Sequence, residues 1–285
     1  MQKLTVLGTG VLGSQIAFQA AYHGKEVVAY DIDAEAVAAL PARWDYLKPL
    51  YLRDLPDATE DKLEQAIARI SASNDLAAAL EHADLVIEAV PEVLEIKRDM
   101  WAKVGAAAPE KTTFATNSST LLPSDIADAT GRPGKFLALH FTNEIWRQNI
   151  GEVMGHSGTE EEAVRAVAAF AEEIGMVPVV LKKEQAGYIV NSLLVPLLTA
   201  AARLYVRDVA DPETIDSTWR TATGAPFGPF EIHDIIGMET PFNLNSRSED
   251  PELVEFADIL KRDFIDKGRL GRAVGRGFYD YGPTA

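Results

Sequence analysis

The sequence predicts an open α/β sheet, doubly wound and mostly parallel, followed by an all-helical domain. Three observations predict it. Short apolar, β-branched runs alternate with stretches of helical spacing as far as "VPVVLK" (177–182). The first run closes on a glycine cluster that opens a helix. From Glu184 onward the helical pattern continues with no convincing strand. Runs that are apolar throughout, without polar alternation, belong to a parallel sheet covered on both faces.

Taken in order, "KLTVLG" is a strand and "VLGSQIAFQAAYHG" a helix closing on Gly24. "EVVAYD" is a second strand ending in an acid. Helices follow at roughly 33–54 and 58–70, then a short strand near "ISAS" and a helix near 75–82. "DLVIEAV" is a strand stopped by Pro91, and "VLEIKRDMWAKVGAAA" a helix. "TTFATN" and "KFLALHF" are strands separated by the helical "LPSDIADAT". "TEEEAVRAVAAFAEEIG" is a helix whose acid-rich first turn suits the helix dipole, and "VPVVLK" is the last strand. The helices beyond include "EQAGYIVNSLLVPLLTAAARLYV" and "DPELVEFADILKRDFIDKG". The expected division is therefore a nucleotide-type domain over 1–184 and a helical domain over 185–285.

Composition narrows the function. The chain has 285 residues, 47% hydrophobic and 25% charged, enough apolar material for a sizeable core. A net charge of −16 argues against nucleic acid and anionic membrane surfaces, which call for clustered Lys and Arg. With no cysteine there is neither disulfide nor thiolate chemistry, and a reducing cytoplasm is the expected location. No signal peptide and no transmembrane run is expected; the apolar stretch around "VNSLLVPLLTAAARLYV" is broken by Asn191, Ser192, Pro196 and Arg203. The histidines (23, 82, 140, 156 and 233) have no metal-ligand spacing, so no metal is expected.

Gly8-Thr9-Gly10-Val11-Leu12-Gly13 is a GxGxxG loop between a strand and a helix, and Asp31 ends the next strand 18 residues after Gly13. That is the context of a Rossmann-type dinucleotide site. Gly8 permits the tight turn, Gly10 lets the backbone approach a pyrophosphate, and Gly13 lets the helix pack closely. The helix start at Val11 and Leu12 offers unpaired N–H groups to phosphate. Asp31 suits adenosine ribose hydroxyls and repels a 2′-phosphate, which favours NAD(H) over NADP(H).

"LALHFTNEIWRQNIGEV" (137–153) ends an apolar strand on His140 and carries Glu152 12 residues later. A histidine at the C-terminal rim of a parallel sheet can exchange a proton with a substrate oxygen. A carboxylate behind it would fix its tautomer and stabilise the imidazolium. The competing reading is a core histidine and an unrelated surface acid. Asn117, Ser118, Ser119 and Thr120 in "ATNSSTLLPSD" reach the same rim, where a hydroxyl could hold a substrate carbonyl or the nicotinamide amide, or serve as an ordinary helix cap. Asn191, in an apolar helix, either cross-links helices or faces the substrate.

Taken together, "GTGVLGSQIA", "VIEAVPEVLEIKRDM", "ATNSSTLLPSD", "LALHFTN", "GEVM", "AGYIVNSLLVPLL", "GAPFGPFEIHDIIG" and "GRGFYDY" resemble the 3-hydroxyacyl-CoA dehydrogenase family, in order along nearly the whole chain. The resemblance implies that His140 is the catalytic acid/base, Glu152 its orienting carboxylate, and Ser119 and Asn191 the polar groups at the reacting oxygen. It implies NAD contacts from Gly8, Gly10, Gly13, Asp31, Glu92, Lys97 and Asn143, and a homodimer formed through the C-terminal domain. The departures are specific. The family's Asn-Pro is here Asn143-Glu144, followed by Ile145-Trp146-Arg147. The positions from which the family presents serine and lysine to coenzyme A fall at Leu47 and Asp54, and a cofactor-directed lysine falls at Ala273. These features look closer to the diketoreductase branch, with Trp146 either narrowing a pocket or packing at a domain interface. The expected activity is NADH-dependent interconversion of 3-keto and L-3-hydroxy groups. The alternatives are a 3-hydroxyacyl-CoA dehydrogenase acting on CoA thioesters, an enzyme resembling L-gulonate 3-dehydrogenase, and a non-catalytic NAD-binding protein.

Overall fold

Eight strands form one sheet in the computed structural model, which describes residues 1–282. They are β1 (Lys3–Leu7), β2 (Glu26–Tyr30), β3 (Ile70–Ser73), β4 (Leu85–Glu88), β5 (Thr113–Thr116), β6 (Phe136–Phe141), β7 (Ile150–Gly155) and β8 (Val177–Val180). Their spatial order is β3-β2-β1-β4-β5-β6-β7-β8. The order reverses at β1, whose neighbours are β2 and β4. A crevice at the carboxyl ends of such strands is where open α/β sheets hold ligands.

Alternate residues of these strands feed two cores, one on each face. Val6, Ile87, Leu139 and Val153 pack with Phe18, Trp44, Tyr51 and Phe170. Leu7, Val86, Phe114 and Phe136 pack with Trp101 and Val104. Both faces being covered explains the uniformly apolar strands.

β7 is absent from the sequence expectation, and it is antiparallel to β6. The reason is the short connection over 142–149. A parallel return needs a crossover of a dozen or more residues, so a strand resuming at Ile150 can only pair antiparallel. The helix Glu161–Glu173 then carries the chain from β7 to a parallel β8.

The structure divides into a unit Met1–Ile189 and a second beginning at Val190. The expected helix from residue 184 starts only at Val190, because Gly187 (φ +79°) and Tyr188 (φ +52°) take left-handed backbone conformations. Tyr188 packs with Ala138 and Met154, which keeps this stretch with the first unit.

The second unit is helical: Val190–Val206, Pro212–Thr223, Pro229–Ile236, Glu239–Asn245 and Pro251–Ile259, followed by short turns. Ala201, Phe230, Met238, Phe256, Leu260 and Phe264 form its core. Two buried aspartates organise it. Asp216 accepts the N–H groups of Phe230 and Glu231, each at 2.9 Å, and the Tyr279 hydroxyl at 2.9 Å. Asp234 accepts the N–H groups of Phe278 (2.7 Å) and Tyr279 (3.0 Å) and the Tyr281 hydroxyl (2.9 Å). Among the described residues, no helix is long and apolar enough to cross a membrane.

His233 is buried beside Phe230, Phe256 and Phe278, with neither ring nitrogen hydrogen-bonded among the described residues. Burial pushes it down to about 4. Its folded value lies below its unfolded one, so the unfolded chain takes up the proton first as pH falls. Stability should therefore drop between about pH 6.5 and 4, by roughly 3 kcal/mol in all. Burial raises the carboxyls of Asp216 and Asp234, which acts in the opposite sense at low pH. Comparing wild type with His233→Leu isolates the histidine. Thermal unfolding at pH 7 and pH 5 should show a smaller acid-induced drop in the variant.

Candidate active site

The glycine loop leaves β1 where the strand order reverses. Gly8 has φ +93°, and a side chain there would meet the Ala89 carbonyl oxygen at 2.7 Å. A Cβ on Gly13 would lie 1.9 Å from the Gly8 carbonyl oxygen, so the helix Val11–Tyr22 begins against the loop itself. Gly10 is different: nothing lies within 4 Å of where its Cβ would be. That open space, above a helix start with no acid in its first turn and no side-chain cap, fits a pyrophosphate. Val11 is exposed and Leu12 half-buried in that first turn. Asp31 sits beside the loop, accepting from the Thr9 N–H and hydroxyl, both at 2.8 Å. The residues present therefore fit a dinucleotide with free ribose hydroxyls.

His140 and Glu152 face each other directly across the β6–β7 ladder. In an antiparallel pair, opposed side chains lie on one face within reach of each other. Here the His140 Nδ1 to Glu152 Oε2 distance is 3.0 Å, with the two residues 3% and 0% exposed. Glu152 Oε1 accepts the Ile189 N–H at 2.8 Å. On the other side of the ring, Ser119 Oγ is 3.1 Å from Nε2. With Nδ1–H donating to the carboxylate, Nε2 accepts from the serine hydroxyl. With the ring protonated, Nε2–H points to the same place and can leave on an oxygen there.

The loop carrying Ser119 is built on Glu92. Its Oε1 accepts the Ser118 hydroxyl (2.6 Å), the Ser119 N–H (3.0 Å), and the Thr120 N–H and hydroxyl (2.8 Å each). Burial pushes the Glu92 carboxyl up, but the Ser118 bond, the Lys97 charge and the Thr120 bonds outweigh it and hold it at about 2. Lys97 is buried, with Nζ 2.5 Å from Glu88 Oε1 and 3.2 Å from Glu92 Oε2. Glu88 also accepts from Trp101, Thr116 and the Val90 N–H. Lys97 thus stands behind Glu92, while Glu92 itself is 37% exposed.

The chain matches the family "3-hydroxyacyl-CoA dehydrogenase, NAD binding domain" over residues 3–185. It matches "3-hydroxyacyl-CoA dehydrogenase, C-terminal domain" over residues 187–281. This protein belongs to the 3-hydroxyacyl-CoA dehydrogenase family. It is similar to the mitochondrial hydroxyacyl-coenzyme A dehydrogenase of Rattus norvegicus, at 33% identity over 99% of this chain and 91% of that one. It is 34% identical to a probable 3-hydroxybutyryl-CoA dehydrogenase of Bacillus subtilis (strain 168), over 99% and 98% of the two chains. A solved diketoreductase structure, described for substrate-directed dual catalysis of dicarbonyl compounds, is 56% identical, with a TM-score of 0.95 and 99% of both chains covered. Members of this family are NAD-dependent oxidoreductases acting on CH–OH groups, and NAD(H) is the cofactor.

Within this member of the family, the loop over 142–149 is where the departures gather. Trp146 is buried, tilted against Tyr51 at 5.2 Å, and donates from Nε1 to Asp54 Oδ2 at 3.0 Å. It packs inside the first unit, joining this loop to the end of the helix Leu40–Asp54. Bonds from Arg53 hold the Asp54 carboxyl at about 2, and the Trp146 N–H adds to the effect. Leu47 is buried in the same core. Asn143 is exposed, and the next residue, Glu144, has φ +59° and gives its N–H to Gln15 Oε1 at 2.8 Å. Asn191 is half-buried at the start of the helix Val190–Val206 in the second unit.

Sequence reasoning missed Glu88, Gln15 and Tyr188. Glu88 carried a signal, an acid inside an apolar strand, which demands a buried partner. The other two act through loop geometry that spacing does not encode. The Glu144 backbone gives a direct test. Proline cannot adopt φ +59° and has no N–H for Gln15, so Glu144→Pro should cost about 3 kcal/mol or more. Glu144→Gly should be neutral or slightly stabilising. Melting temperatures of the two variants check both.

Proposed function

We propose that this NAD-dependent oxidoreductase interconverts 3-keto and L-3-hydroxy groups of small β-keto or 3,5-diketo acids and esters, without requiring coenzyme A. The observation that carries the chemistry is the alignment of Ser119 with the buried His140–Glu152 pair. Gly8–Gly13 and Asp31 would hold NAD(H), which when bound would supply or accept the hydride at the substrate carbonyl carbon. His140 Nε2–H gives its proton to the oxygen that becomes the hydroxyl, and takes it back in the oxidative direction. Glu152 holds Nδ1–H throughout and offsets the charge on the ring. Ser119 polarises the substrate oxygen. Glu92, Lys97 and Asn143 would help to hold the cofactor, with Lys97 paired to Glu92.

Support for a CoA-independent substrate comes from the helix Leu40–Asp54. At the two positions where the family presents serine and lysine to coenzyme A, this chain has a buried Leu47 and an Asp54 held anionic by Arg53 and Trp146. A carboxylate there repels nucleotide phosphates. The dicarbonyl compounds named for the 56%-identical diketoreductase point the same way. We also propose a homodimer, supported by Leu193 (71% exposed) and Val195 on the apolar helix Val190–Val206, and a cytoplasmic location, supported by a cysteine-free composition.

His140→Ala should lower kcat by about 10²- to 10⁴-fold while NADH fluorescence titration shows near-normal binding. Loss of NADH binding with unimpaired single-turnover chemistry would overturn the assignment. For the substrate class, NADH oxidation with ethyl acetoacetate, a 3,5-diketo ester and acetoacetyl-CoA is compared by kcat/KM. The esters should be turned over efficiently; a large preference for acetoacetyl-CoA would favour the CoA-thioester reading.

A further inference from the structure

Tyr188 touches the proposed catalytic pair in a way that filling space does not demand. Its ring lies flat against the His140 imidazole, centroids 4.3 Å apart and planes 8° from parallel. Its hydroxyl donates to the Ser118 carbonyl at 2.7 Å, one residue before Ser119. The next N–H along the chain, that of Ile189, donates to Glu152. Tyr188 itself is 1% exposed. Burial, with Glu92, Glu152 and Glu88 nearby, pushes its phenol upward, so it remains a donor.

The backbone is held to this arrangement. Tyr188 has φ +52°, directly after Gly187 at +79°. A bulky residue keeps a left-handed conformation only where its surroundings over-determine it. Here they include the imidazole face on one side and the Ser118 carbonyl at the hydroxyl end.

We propose that Tyr188 is a positioning residue for proton transfer. Its ring sets the plane of His140, and its hydroxyl anchors the loop that brings Ser119 to Nε2. The ring meets the imidazole with its electron-rich face, the side that attracts a cation when the imidazole carries the proton. A misplacement of the proton donor by one ångström is enough to cost turnover without affecting cofactor binding. This inference rests on the assignment of His140 as the acid/base.

The test compares Tyr188→Phe, Tyr188→Leu and Tyr188→Met in the full-length chain, reading kcat and KM with ethyl acetoacetate, NADH affinity by fluorescence, and melting temperature. Tyr188→Phe keeps the stack and loses the tether, and should lose part of kcat, less than the other two. Tyr188→Leu and Tyr188→Met fill similar space without an aromatic face. In both, kcat should fall about 10- to 100-fold while KM and NADH affinity change little. If all three keep wild-type kcat, or if the Leu and Met variants lose NADH affinity and melting temperature together with kcat, the residue only packs and the proposal is overturned. His140→Ala separates the two levels. Undiminished turnover in that variant removes the assignment of His140, whereas its loss alongside full turnover in Tyr188→Leu removes Tyr188 alone.

Discussion

The site depends on one cross-strand pair. His140 and Glu152 are opposed residues of the β6–β7 ladder, and the short connection over 142–149 permits no other strand direction. A register slip of one residue would send each side chain to the other face. The pairing that builds the sheet therefore also builds the His140–Glu152 dyad to which the proton transfer is assigned as a proposal. A buried carboxylate is costly unless its oxygens find donors. Glu152 meets this requirement with the His140 imidazole on one oxygen and the Ile189 N–H on the other.

The same device, a carboxylate gathering N–H and O–H donors, recurs along the chain. Asp31 ties β2 to the glycine loop through Thr9, and Glu92 collects the Ser118–Thr120 segment. Asp54 holds Trp146. The net charge of −16 reads as a repulsive surface, yet several of these acids are structural acceptors at turns. An anion accepts several charge-assisted bonds at once, which suits it to fixing irregular loops that no ladder supports. Loops of that kind carry Ser119 and Asn143 here.

The sheet, the cofactor loop and the His140–Glu152 partnership were legible in the sequence. Each leaves a local pattern: apolar runs, GxGxxG before a helix, a histidine closing a strand. β7 was not legible as a strand, because "IGEVM" was read as the setting of an acid and no helix precedes it to announce a crossover. The helix expected from residue 184 starts late because two left-handed residues interrupt it, and apolar spacing is blind to φ. Trp146 was open between a pocket wall and an interface; its hydrogen bond to Asp54 and its tilted ring contact with Tyr51 make it part of the first unit's core. The ammonium of Lys97 meets Glu88, the acid of strand β4, and Glu92 together, a contact that the spacing of the three residues does not announce.

The aspartate clasps of the second unit bear on how the protein is made. Phe278, Tyr279 and Tyr281 supply the donors that Asp216 and Asp234 need, and Phe278 packs against the core. Tyr279 lies 63 positions beyond Asp216, and the partners of Asp234 lie 44 to 47 positions beyond it. On the ribosome, the helices between would emerge first and wait with two desolvated carboxyls lacking their phenol hydroxyls. The second unit is thus a structure whose keystone is laid last, so its maturation follows translation of residue 281, whereas the sheet can assemble while synthesis is still under way.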